Sequence, residues 1–435
     1  MAKRKSSQKL KIYLNGLSLG TLDYKARKSL VFAYLPEWIE RENSFPISRS
    51  LPLREDPFEG DAVFSYFDNL LPDGISIRQR IAARMSAKSD QVFDLLAVVG
   101  RDCVGALQFI KADEDAPTLS AASGTVLSEA DIANKLRNLR SAPLAASQED
   151  DFRLSIAGTQ EKTAFLLLNE KWNAPLGATP TTHIFKPQIG EVQNGFSFSD
   201  SVENEWLCAQ ISSSFNLPTA KCEIRQFEDI KVLVVKRFDR SWLPDGRLVR
   251  IPQEDLCQAL AVPNFQKYES DQGPGVVRIM DLLNESKSRD QDRYLFMKAQ
   301  VMFFLLAASD GHAKNFSIRW GPYGFDMTPL YDILSAQPMM DKGAVPTQKL
   351  KMAMAYGDNR HYKLVELHRH HFEQSAKLCR YDNNSMKKII QETIAAVPHV
   401  IDSISSALPA SFPAEVAHSI FNGMRSRVQM LEKAL

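Results

Sequence analysis

The sequence predicts an α+β fold of two lobes, with a strand-rich N-terminal half and an all-helical C-terminal lobe. Short apolar runs rich in β-branched and aromatic residues dominate residues 152–239, which is typical of strands. After Pro252 the apolar residues recur at helical spacing, most clearly over residues 290–308. We therefore expect the chain to change from sheet to helix near its middle.

Length and composition describe an ordinary globular protein. The 435 residues are enough for two or three packed units of about 150 residues each. Hydrophobic residues make up 44% and charged residues 24%, and 53 Lys and Arg against 52 Asp and Glu give a formal net charge of +1. Global charge therefore indicates no nucleic-acid partner, and any such contact has to come from a local patch.

Cysteine usage and the N-terminus predict a cytoplasmic protein with no membrane partner. The five Cys include no C-x-x-C pair, which argues against a zinc site or a disulfide framework and for reduced thiols. The basic start, residues 1–9, is not followed by an apolar segment, so it is not a signal peptide. The longest apolar run, residues 301–308, is shorter than the ~18–20 residues of a membrane span.

The elements divide the chain into four predicted segments. Residues 1–110 form a small α+β subdomain that opens with a hairpin turning at Asn15-Gly16, a dipeptide favoured in tight β-turns. Residues 111–151 form a linker and a helix, because residues 111–124 lack apolar periodicity. Residues 152–255 are strand-rich, and residues 256–435 form the helical lobe.

Each element follows from its local pattern. Strands are expected at residues 10–22 (the hairpin), 30–34, 105–110, 163–168, 182–185, 222–226 and 230–238. Helices are expected at residues 64–71, 75–83, 91–99, 129–140, 202–215, 290–308, 386–397 and 414–435. Residues 316–320 and 323–328 are expected to pair as a hairpin that turns at Gly321-Pro322.

Residues 309–333 carry the pattern that points to chemistry. Asp310 and Asn315 are five positions apart, and Asp332 follows the predicted hairpin. This is the spacing of a kinase catalytic loop, in which the first Asp accepts the proton of an attacking hydroxyl and the Asn and second Asp hold Mg²⁺ against the ATP phosphates. The pattern predicts a protein-kinase-like fold with Asp310 as the catalytic base. The alternative is a helix C-terminus whose Asp and Asn only cap the backbone.

Three lysines are candidate phosphate ligands. Lys314 is expected to neutralise charge on the transferring phosphoryl group, whereas His312 shapes the loop by hydrogen bonding. Lys162 ends a segment with Gly158 that fails the Walker A pattern, so either a phosphate-covering turn or an ordinary hairpin turn is expected. Lys186 ends a predicted strand, where it either grips the α- and β-phosphates or is an ordinary exposed lysine.

The neighbouring strand and helix supply further candidates. Glu203 and Glu205, near the start of the next helix, are candidates to orient the strand lysine. Lys236, Arg237 and Phe238 end an apolar strand and are expected to form a hinge whose backbone meets an adenine edge. A surface pair of Arg237 with the Asp two positions later is the alternative.

Residues 360–380 form a basic stretch that contains four of the eight His. Zinc is not expected there, because His368, His370 and His371 do not fit one helical face. Lys377 and Arg380 belong to the same stretch, and two interpretations stay open. The stretch is either a phosphate-contacting surface or a solvated helix face.

Five motifs span the chain: residues 67–73 (FDNLLPD), 99–106 (VGRDCVGA), 153–162 (RLSIAGTQEK), 235–240 (VKRFDR), and 310–315 (DGHAKN) with 331–333 (YDI). Together they make the chain resemble the HipA family of toxin kinases, the Ser/Thr kinase partners of bacterial type II toxin–antitoxin pairs. The resemblance runs nearly from end to end.

The resemblance implies a kinase that uses ATP and Mg²⁺, with residues 152–255 as the nucleotide-binding subdomain and residues 256–435 as the catalytic lobe. It implies Asp310 as the general base and Asn315 and Asp332 as Mg²⁺ ligands. It places the nucleotide against Ala157, Gly158, Thr159, Gln160, Glu161, Lys162, Lys186, Lys236, Arg237, Phe238, His312, Ala313, Lys314, Asn315, Tyr331 and Asp332. Lys236 departs from relatives that carry an acidic residue there, with little effect expected because hinge contacts run through the backbone.

The resemblance also implies regulation and partners. Autophosphorylation in trans at Ser155 would silence the kinase by expelling the modified loop from the nucleotide site, since about two added negative charges repel ATP phosphates. The implied target is a translation component, glutamyl-tRNA synthetase, whose modification arrests growth and leads to persistence. A helix-turn-helix antitoxin dimer would carry the kinase onto operator DNA as a transcription repressor complex, with Lys377 and Arg380 contacting the DNA.

Two other functions stay open. A small-molecule or lipid kinase is one, because phosphoinositide-type kinases also place a His two residues after the catalytic Asp, as His312 is here. A DNA-bound co-repressor with a vestigial kinase site is the other. The presence of Asp310, Asn315, Asp332 and Lys186 argues against a dead site.

Overall fold

The computed structural model describes residues 8–25, 29–139, 157–158, 160–191 and 197–433. Their strands are β1 (Gln8–Leu14), β2 (Leu17–Tyr24), β3 (Leu30–Tyr34), β4 (Phe58–Glu59), β5 (Leu107–Lys111), β6 (Gly124–Val126), β7 (Thr163–Leu168), β8 (Lys171–Pro175), β9 (His183–Pro187), β10 (Gly190–Glu191), β11 (Ser197–Phe198), β12 (Cys222–Phe227), β13 (Ile230–Lys236), β14 (Arg240–Trp242), β15 (Leu248–Arg250), β16 (Gln253–Asp255), β17 (Ser317–Gly321), β18 (Gly324–Met327), β19 (Lys351–Tyr356) and β20 (His361–Lys363).

Helices alternate with these strands and dominate the C-terminal part. They are α1 (Pro36–Ile39), α2 (Asp61–Asp68), α3 (Ile75–Arg84), α4 (Val92–Val99), α5 (Glu129–Arg137), α6 (Ser201–Ser214), α7 (Leu256–Ala259), α8 (Val276–Leu282), α9 (Arg289–Leu306), α10 (Gln337–Asp341), α11 (Arg369–Leu378), α12 (Asn383–Ala407) and α13 (Ala414–Glu432). This mixture of helix and sheet confirms the predicted α+β class.

The chain divides into two compact units that each combine separate stretches of sequence. The first contains the chain up to Pro187, Arg225–Phe265 and Ile318–Gly324. The second contains Gln188–Ile224, Gln266–Ser317 and Phe325–Leu435. The four predicted segments with boundaries at residues 110, 151 and 255 stay a prediction.

The first unit opens with an antiparallel five-stranded sheet in the order β4-β3-β2-β1-β5. Asn15 and Gly16 join β1 to β2 with φ angles of 49° and 83°, the left-handed pair that a tight hairpin turn requires. Helices α2 and α4 pack against this sheet, and Phe67 of α2 meets Phe32 and Phe109 of the strands. The predicted hairpin is therefore present, with a hydrophobic core beside it.

A second sheet of the first unit has the order β12-β13-β9-β7-β8-β6. Strand β9 lies between β7 and β13, antiparallel to both. Phe165, Phe185 and Val232 of its central strands form a core with Ile132 of α5, which fixes the sheet against that helix. This sheet positions the predicted strand lysine and the predicted hinge.

The second unit is built on α9, which packs against α12 and α13. The C-terminal half of α9 is buried, including Phe303 and Phe304, so its end is held inside the unit. Helix α6 also packs against α12 and α13.

Two predictions about the C-terminal lobe need correction. The lobe is not all-helical, because β17 to β20 lie within residues 256–435. Strand β19 was not predicted, since its residues from Met352 to Tyr356 are all buried and show no alternation that distinguishes strand from helix. The helix predicted to end at residue 397 continues through Pro398 to Ala407, where burial of Val400, Ile401 and Ile404 outweighs the ~3 kcal/mol cost of an internal proline.

Candidate active site

Helix α9 delivers the predicted catalytic loop, and its C-terminal end is held from three sides. Ala307 ends the helix in the left-handed conformation, with φ 50°. Arg427 Nε, Ser335 Oγ and the Ala336 amide donate to the carbonyls of residues 305, 306 and 307 at 2.8, 2.5 and 3.0 Å. These bonds satisfy carbonyls that a helix end leaves without intrahelical partners. The start of the loop is therefore fixed to α13 and to the segment after Asp332.

Gly311 lets the loop turn directly against α9. A Cβ at this position would lie 2.3 Å from Cδ2 of the Phe303 ring, so no larger residue fits without a shift. The His312 amide donates to the Asp310 carbonyl at 2.8 Å, and the Asn315 amide donates to the His312 carbonyl at 2.9 Å. The loop thus winds into one 3₁₀ turn, Ala313–Asn315, immediately after the candidate base.

The side chain of Asn315 joins the segments of the two predicted aspartates. Its Nδ2 donates to the carbonyl oxygen of Asp310 at 2.8 Å and to that of Asp332 at 3.5 Å. Because a carbonyl cannot donate, these contacts require the amide nitrogen on this edge and place Oδ1 on the other edge. Asn315 is 5% exposed. The structure therefore brings the three predicted residues to one place in the second unit.

The segment that carries Asp332 is tied to the same turn by Tyr331. The Tyr331 hydroxyl donates to the Lys314 carbonyl at 2.8 Å and lies 2.5 Å from Ser317 Oγ. Asp332 itself has φ 60°, a left-handed conformation that Asp tolerates better than most residues. Tyr331 directly precedes Asp332, so its hydrogen bond to Lys314 ties the Asp332 segment to the turn that carries Asn315.

The donor set fits Mg²⁺. Asn315 Oδ1 and the Asp332 carboxylate are hard oxygen ligands of the kind that Mg²⁺ binds. Because its Nδ2 holds both loops, the Asn315 amide cannot turn over without losing two hydrogen bonds. The structure thus presents an oriented amide oxygen and a carboxylate from adjacent segments. Their assignment as metal ligands stays a prediction.

The candidate base is more accessible than its neighbours. The Asp310 side chain is 56% exposed, whereas His312 and Lys314 are 4% and 6% exposed. His312 Nε2 lies 3.8 Å from Asp310 Oδ1, and Tyr268 donates its hydroxyl hydrogen to the same oxygen. Tyr268 was missed by sequence analysis, because it lies 42 residues before Asp310 in a loop without a recognisable motif.

The candidate nucleotide residues of the first unit lie on β9 and β13. Lys186 is 6% exposed and stands opposite Leu233 in this antiparallel pair. Lys236, at the end of β13, is exposed and stands opposite His183. The Arg237 amide then donates to the Thr182 carbonyl at 2.9 Å, which extends the pairing one residue beyond the strand. Glu203 and Glu205 belong to α6 of the second unit, and their pairing with Lys186 stays a prediction.

The candidate phosphate turn is described at residues 157–158 and 160–162, and Ser155 and Thr159 lie outside the described residues. Gly158 has φ 111°, and a Cβ there would lie 2.6 Å from Lys162 Nζ. The lysine side chain thus folds back over the turn. Gln160 Nε2 donates to the Pro187 carbonyl at 2.9 Å.

Other contacts of this turn reach the N-terminal part of the first unit. The Asp73 amide donates to the Gly158 carbonyl at 3.1 Å, and Glu161 pairs with Arg80. The turn therefore connects to the last residue of the FDNLLPD motif and to α3, which neither hypothesis for the turn anticipated.

The surface-pair alternative for Arg237 and Asp239 is wrong, because both are buried at 3% and 5% exposure. Arg237 Nη2 bonds to Asp239 Oδ2 at 2.8 Å, and Arg237 Nη1 lies 3.4 Å from Asp102 Oδ2. Arg240 and Arg250 also pair with Asp102, at 2.8 and 3.2 Å. These five residues form a buried ionic cluster within the first unit.

Electrostatics inside this ionic cluster are set by burial and by pairing. Burial alone would raise the pKa of Asp102, but Arg240, Arg237 and Arg250 hold it well below its usual range. Burial lowers the pKa of Arg250 to about 10 despite its pairing with Asp102. The Arg237 side chain therefore serves the interior of the first unit, and a hinge contact has only its backbone to use.

The basic stretch is partly surface and partly packed. Lys377 and Arg380 are both exposed at the C-terminal end of α11, and the Arg380 amide donates to the Lys377 carbonyl. Of the histidines, His368 precedes the first turn of α11 rather than lying within it. The rings of His370 and His371 are 3.8 Å apart, and His361 from β20 lies 4.2 Å from His371.

Among the described residues no helix has both the length and the apolar character of a membrane span.

Comparison with known proteins identifies relatives over nearly the whole chain. The family described as HipA N-terminal domain matches residues 10–110, and the HipA-like C-terminal domain matches residues 154–401. The putative kinase Y4mE of Sinorhizobium fredii is 35% identical over 352 residues, which cover 80% of each chain. The serine/threonine-protein kinase toxin HipA of Shewanella oneidensis is 24% identical over 356 residues, which cover 76% of each chain.

The fold has a solved counterpart. A chain in the complex of HipA, HipB and operator DNA from Shewanella oneidensis superposes with a TM-score of 0.80 over 97% of both chains, at 21% identity. This likeness confirms the predicted fold.

Proposed function

The chain belongs to the HipA family, and from that premise we propose that it is an ATP-dependent protein serine/threonine kinase that acts as the toxin of a toxin–antitoxin pair. One observation carries the proposal: the Asn315 amide holds the Asp310 and Asp332 segments together. Catalysis of phosphoryl transfer is mostly positioning and electrostatic stabilisation. A turn that fixes the base and both oxygen ligands relative to each other is what such an enzyme needs.

Asp310 is the proposed general base. Its carboxylate is 56% exposed, so a seryl or threonyl hydroxyl of a protein substrate can approach it. The carboxylate takes the hydroxyl proton while the oxygen bonds to the γ-phosphorus and the bond to ADP breaks. Lys314 is buried and follows Asp310 in the same loop, and it neutralises charge on the transferring phosphoryl group.

Asn315 and Asp332 would hold Mg²⁺, which supplies neutralisation of phosphate charge when it is bound. The turn at residues 157–162 and the strand lysine Lys186 bind the phosphates of ATP. The backbone at residues 236–238 meets the adenine, and the loops at residues 312–315 and 331–332 complete the nucleotide contacts. The fold-back of Lys162 over Gly158 supports the phosphate-turn interpretation over an ordinary hairpin.

Regulation is proposed to use Ser155. Transfer of phosphate from ATP to its hydroxyl, in trans, would add about two negative charges to the chain next to the phosphate turn. The modified segment and ATP would then exclude each other.

The proposed partners follow from the solved relative, which was crystallised with HipB and operator DNA. We propose a helix-turn-helix antitoxin dimer as the binding partner and operator DNA as the ligand of the assembled complex. The exposed Lys377 and Arg380 are the proposed DNA contacts. Glutamyl-tRNA synthetase is the proposed protein target, whose modification would arrest growth.

The kinase proposal is tested by incubating the purified protein with Mg²⁺ and γ-labelled ATP, with and without glutamyl-tRNA synthetase. Asp310→Asn is expected to lower the rate of phosphate transfer at least 100-fold, because the proton acceptor is lost while the shape of the side chain is kept. Asp358→Asn is the matched control, since Asp358 is an exposed aspartate of the same unit outside the loop. Equal transfer by wild type and Asp310→Asn would contradict the assignment of the base.

The location of the phosphate separates the open alternatives. Mass spectrometry of the treated protein is expected to show modification at Ser155 and none in Asp310→Asn. Ser155→Ala is expected to keep ATP binding and to lose self-silencing, measured as sustained transfer to the target. Transfer only to a lipid or small molecule would favour the other kinase class, and growth arrest by both wild type and Asp310→Asn would favour the co-repressor.

A further inference from the structure

We propose that Tyr268 is a positioning residue for Asp310. Its phenol holds one carboxylate oxygen and so fixes the direction in which the carboxylate meets the substrate hydroxyl. The inference rests on the proposed function, in which Asp310 accepts the substrate proton, and it assigns a role to a residue outside every motif in the sequence.

The contacts at Asp310 place the phenol on a defined atom. Tyr268 donates its hydroxyl hydrogen to Asp310 Oδ1, and His312 Nε2 lies 3.8 Å from that oxygen. The Asp310 side chain is 56% exposed, so packing does little to select its rotamer. A hydrogen bond from a neutral donor to a charged acceptor is among the stronger ones in proteins, which makes the phenol an effective anchor for an exposed carboxylate.

The segment that carries Tyr268 is built tightly. Its carbonyl oxygen accepts from the amides of Asp271 and Gly273 at 3.0 and 2.9 Å, which closes the 3₁₀ turn Glu269–Asp271 on itself. A Cβ at Gly273 would lie 1.9 Å from the Gln266 carbonyl oxygen, so only glycine allows this closure. The phenol therefore projects from a compact turn.

Glu269 anchors that turn to the rest of the second unit. Its Oε2 accepts the amide hydrogen of Ala355 in β19 at 2.7 Å, and its Oε1 lies 3.2 Å from Arg360 Nη2. Gly275 makes room for the carboxylate, since a Cβ there would lie 2.1 Å from Glu269 Cδ. The turn is thus fixed to the sheet beside it.

The same segment holds the catalytic loop at a second point. The Ala313 amide donates to the Lys267 carbonyl at 3.3 Å. The Tyr268 ring meets the His312 ring edge-on, with centroids 4.9 Å apart and planes at 85°. Backbone, ring and hydroxyl contacts therefore all join residues 267–268 to residues 310–313. These contacts favour a Tyr268 that stays in place and positions the carboxylate, rather than one that blocks the carboxylate until it moves away.

Tyr268→Phe tests the inference, because it removes the hydroxyl and keeps the ring contact with His312. We expect kcat to fall about 10-fold with little change in the KM for ATP, because the hydrogen bond that fixes the charged carboxylate is lost while the nucleotide contacts are kept. Tyr323→Phe, at an 85% exposed tyrosine, is the matched control and should change neither quantity.

A second measurement does not depend on turnover. In protein with ¹³C-labelled Asp carboxyls, the Asp310 resonance is identified as the one missing in Asp310→Asn. At a fixed neutral pH its chemical shift is expected to move in Tyr268→Phe, which removes the hydrogen bond to the carboxylate, and to stay unchanged in Tyr323→Phe. An unchanged chemical shift overturns the inference, and so does a kcat that rises in Tyr268→Phe, which would mean that the phenol blocks the carboxylate. Absence of phosphate transfer by the wild type would refute the proposed function alone, because the chemical shift still reports on Tyr268.

Discussion

Replacing Asp102 by Asn is expected to destabilise the first unit by about 3 kcal/mol, although the side chain keeps its shape. Asp102 Oδ1 accepts from Arg240 at 2.8 Å and lies 3.2 Å from Arg250, while its Oδ2 accepts from the Thr181 hydroxyl at 2.6 Å. All of these groups are buried. The buried ionic cluster contains three arginines and two aspartates, so the variant leaves Asp239, which pairs with Arg237 and Arg240, as the one carboxylate in a cluster of three guanidinium groups.

The magnitude follows from the cost of an uncompensated buried charge. Removing one partner of a buried pair costs about 3–5 kcal/mol. The asparagine oxygen still accepts a hydrogen bond, worth about 1 kcal/mol, so the lower end is expected. For a unit of this size each kcal/mol lowers the melting temperature by about 2–4 °C, which predicts a decrease on the order of 10 °C.

Differential scanning calorimetry measures this decrease, and the matched control is Asp245→Asn. Asp245 pairs with Arg247 at 2.7 Å, but its side chain is 52% exposed, so its loss is expected to leave the melting temperature unchanged. A shift in Asp102→Asn as small as that of the control would refute the claim that this ionic cluster supports the fold. ATP binding by the folded fraction is expected to persist, since the hinge is proposed to use backbone atoms.

The pH dependence of the Asp102 effect has a definite sign. The pKa of Asp102 is held below its usual range in the folded protein, so the unfolded chain binds its proton first as the pH falls. Its contribution to stability is therefore complete at neutral pH and is lost as the pH falls below the usual range of a carboxyl group. The difference between wild type and Asp102→Asn should shrink in acid and stay constant between pH 6 and 8, which calorimetry at several pH values checks.

Three further predictions concern the second unit. Gly311→Ala is expected to lower phosphate transfer at least tenfold while the protein stays folded. The added Cβ would lie 2.3 Å from the Phe303 ring and would displace the loop. Transfer assays measure the loss of activity, and circular dichroism is the control for folding. Burial lowers the pKa of His371 to about 4 from 6.5, and its Nδ1 accepts the His368 amide hydrogen at 3.0 Å. The stability that neutral His371 contributes is therefore lost as the pH falls from 6.5 towards 4. A His371→Asn variant, which keeps an acceptor, should lose that part of the pH dependence of the free energy of unfolding, measured in urea. Lys377→Ala with Arg380→Ala is expected to weaken operator binding by the complex with the antitoxin. The slope of log K against log salt concentration is expected to decrease in magnitude by about 0.9 for each lost phosphate contact. An unchanged slope in titrations between 50 and 200 mM salt would contradict the proposed DNA contacts.

Sequence patterns predicted the elements whose determinants are local. Asn15-Gly16 specified the first hairpin, because few other dipeptides adopt two left-handed residues in succession at so little cost. The end of α9 and the loop after it were also anticipated, since spacing alone indicated that Asp310, Asn315 and Asp332 belong together. These features depend on short stretches of chain.

Features that depend on distant residues were missed. Strand β19 is buried from Met352 to Tyr356, so its apolar residues show no alternation that distinguishes it from a helix. Pro398 predicted a helix end that packing overrides. Tyr268 has no motif, and only the fold brings its hydroxyl to Asp310. The position of Arg237 next to the predicted hinge suggested surface or ligand roles, whereas its partners Asp102 and Thr181 lie far away in sequence.

The motifs that mark this family therefore serve two different purposes. The DGHAKN and YDI motifs form the candidate active site, while VGRDCVGA and VKRFDR supply Asp102, Arg237, Asp239 and Arg240 to the buried ionic cluster. A buried charge constrains its neighbours as strongly as a reacting group does, because each unpaired partner costs several kcal/mol. Membership of a motif thus does not identify a ligand contact. For Arg237 the two roles separate by atom: the guanidinium belongs to the interior and the backbone to the proposed hinge. Arg237→Met should therefore lower stability while leaving the affinity of the folded protein for ATP unchanged, whereas a loss of affinity without a loss of stability would return the side chain to the nucleotide site.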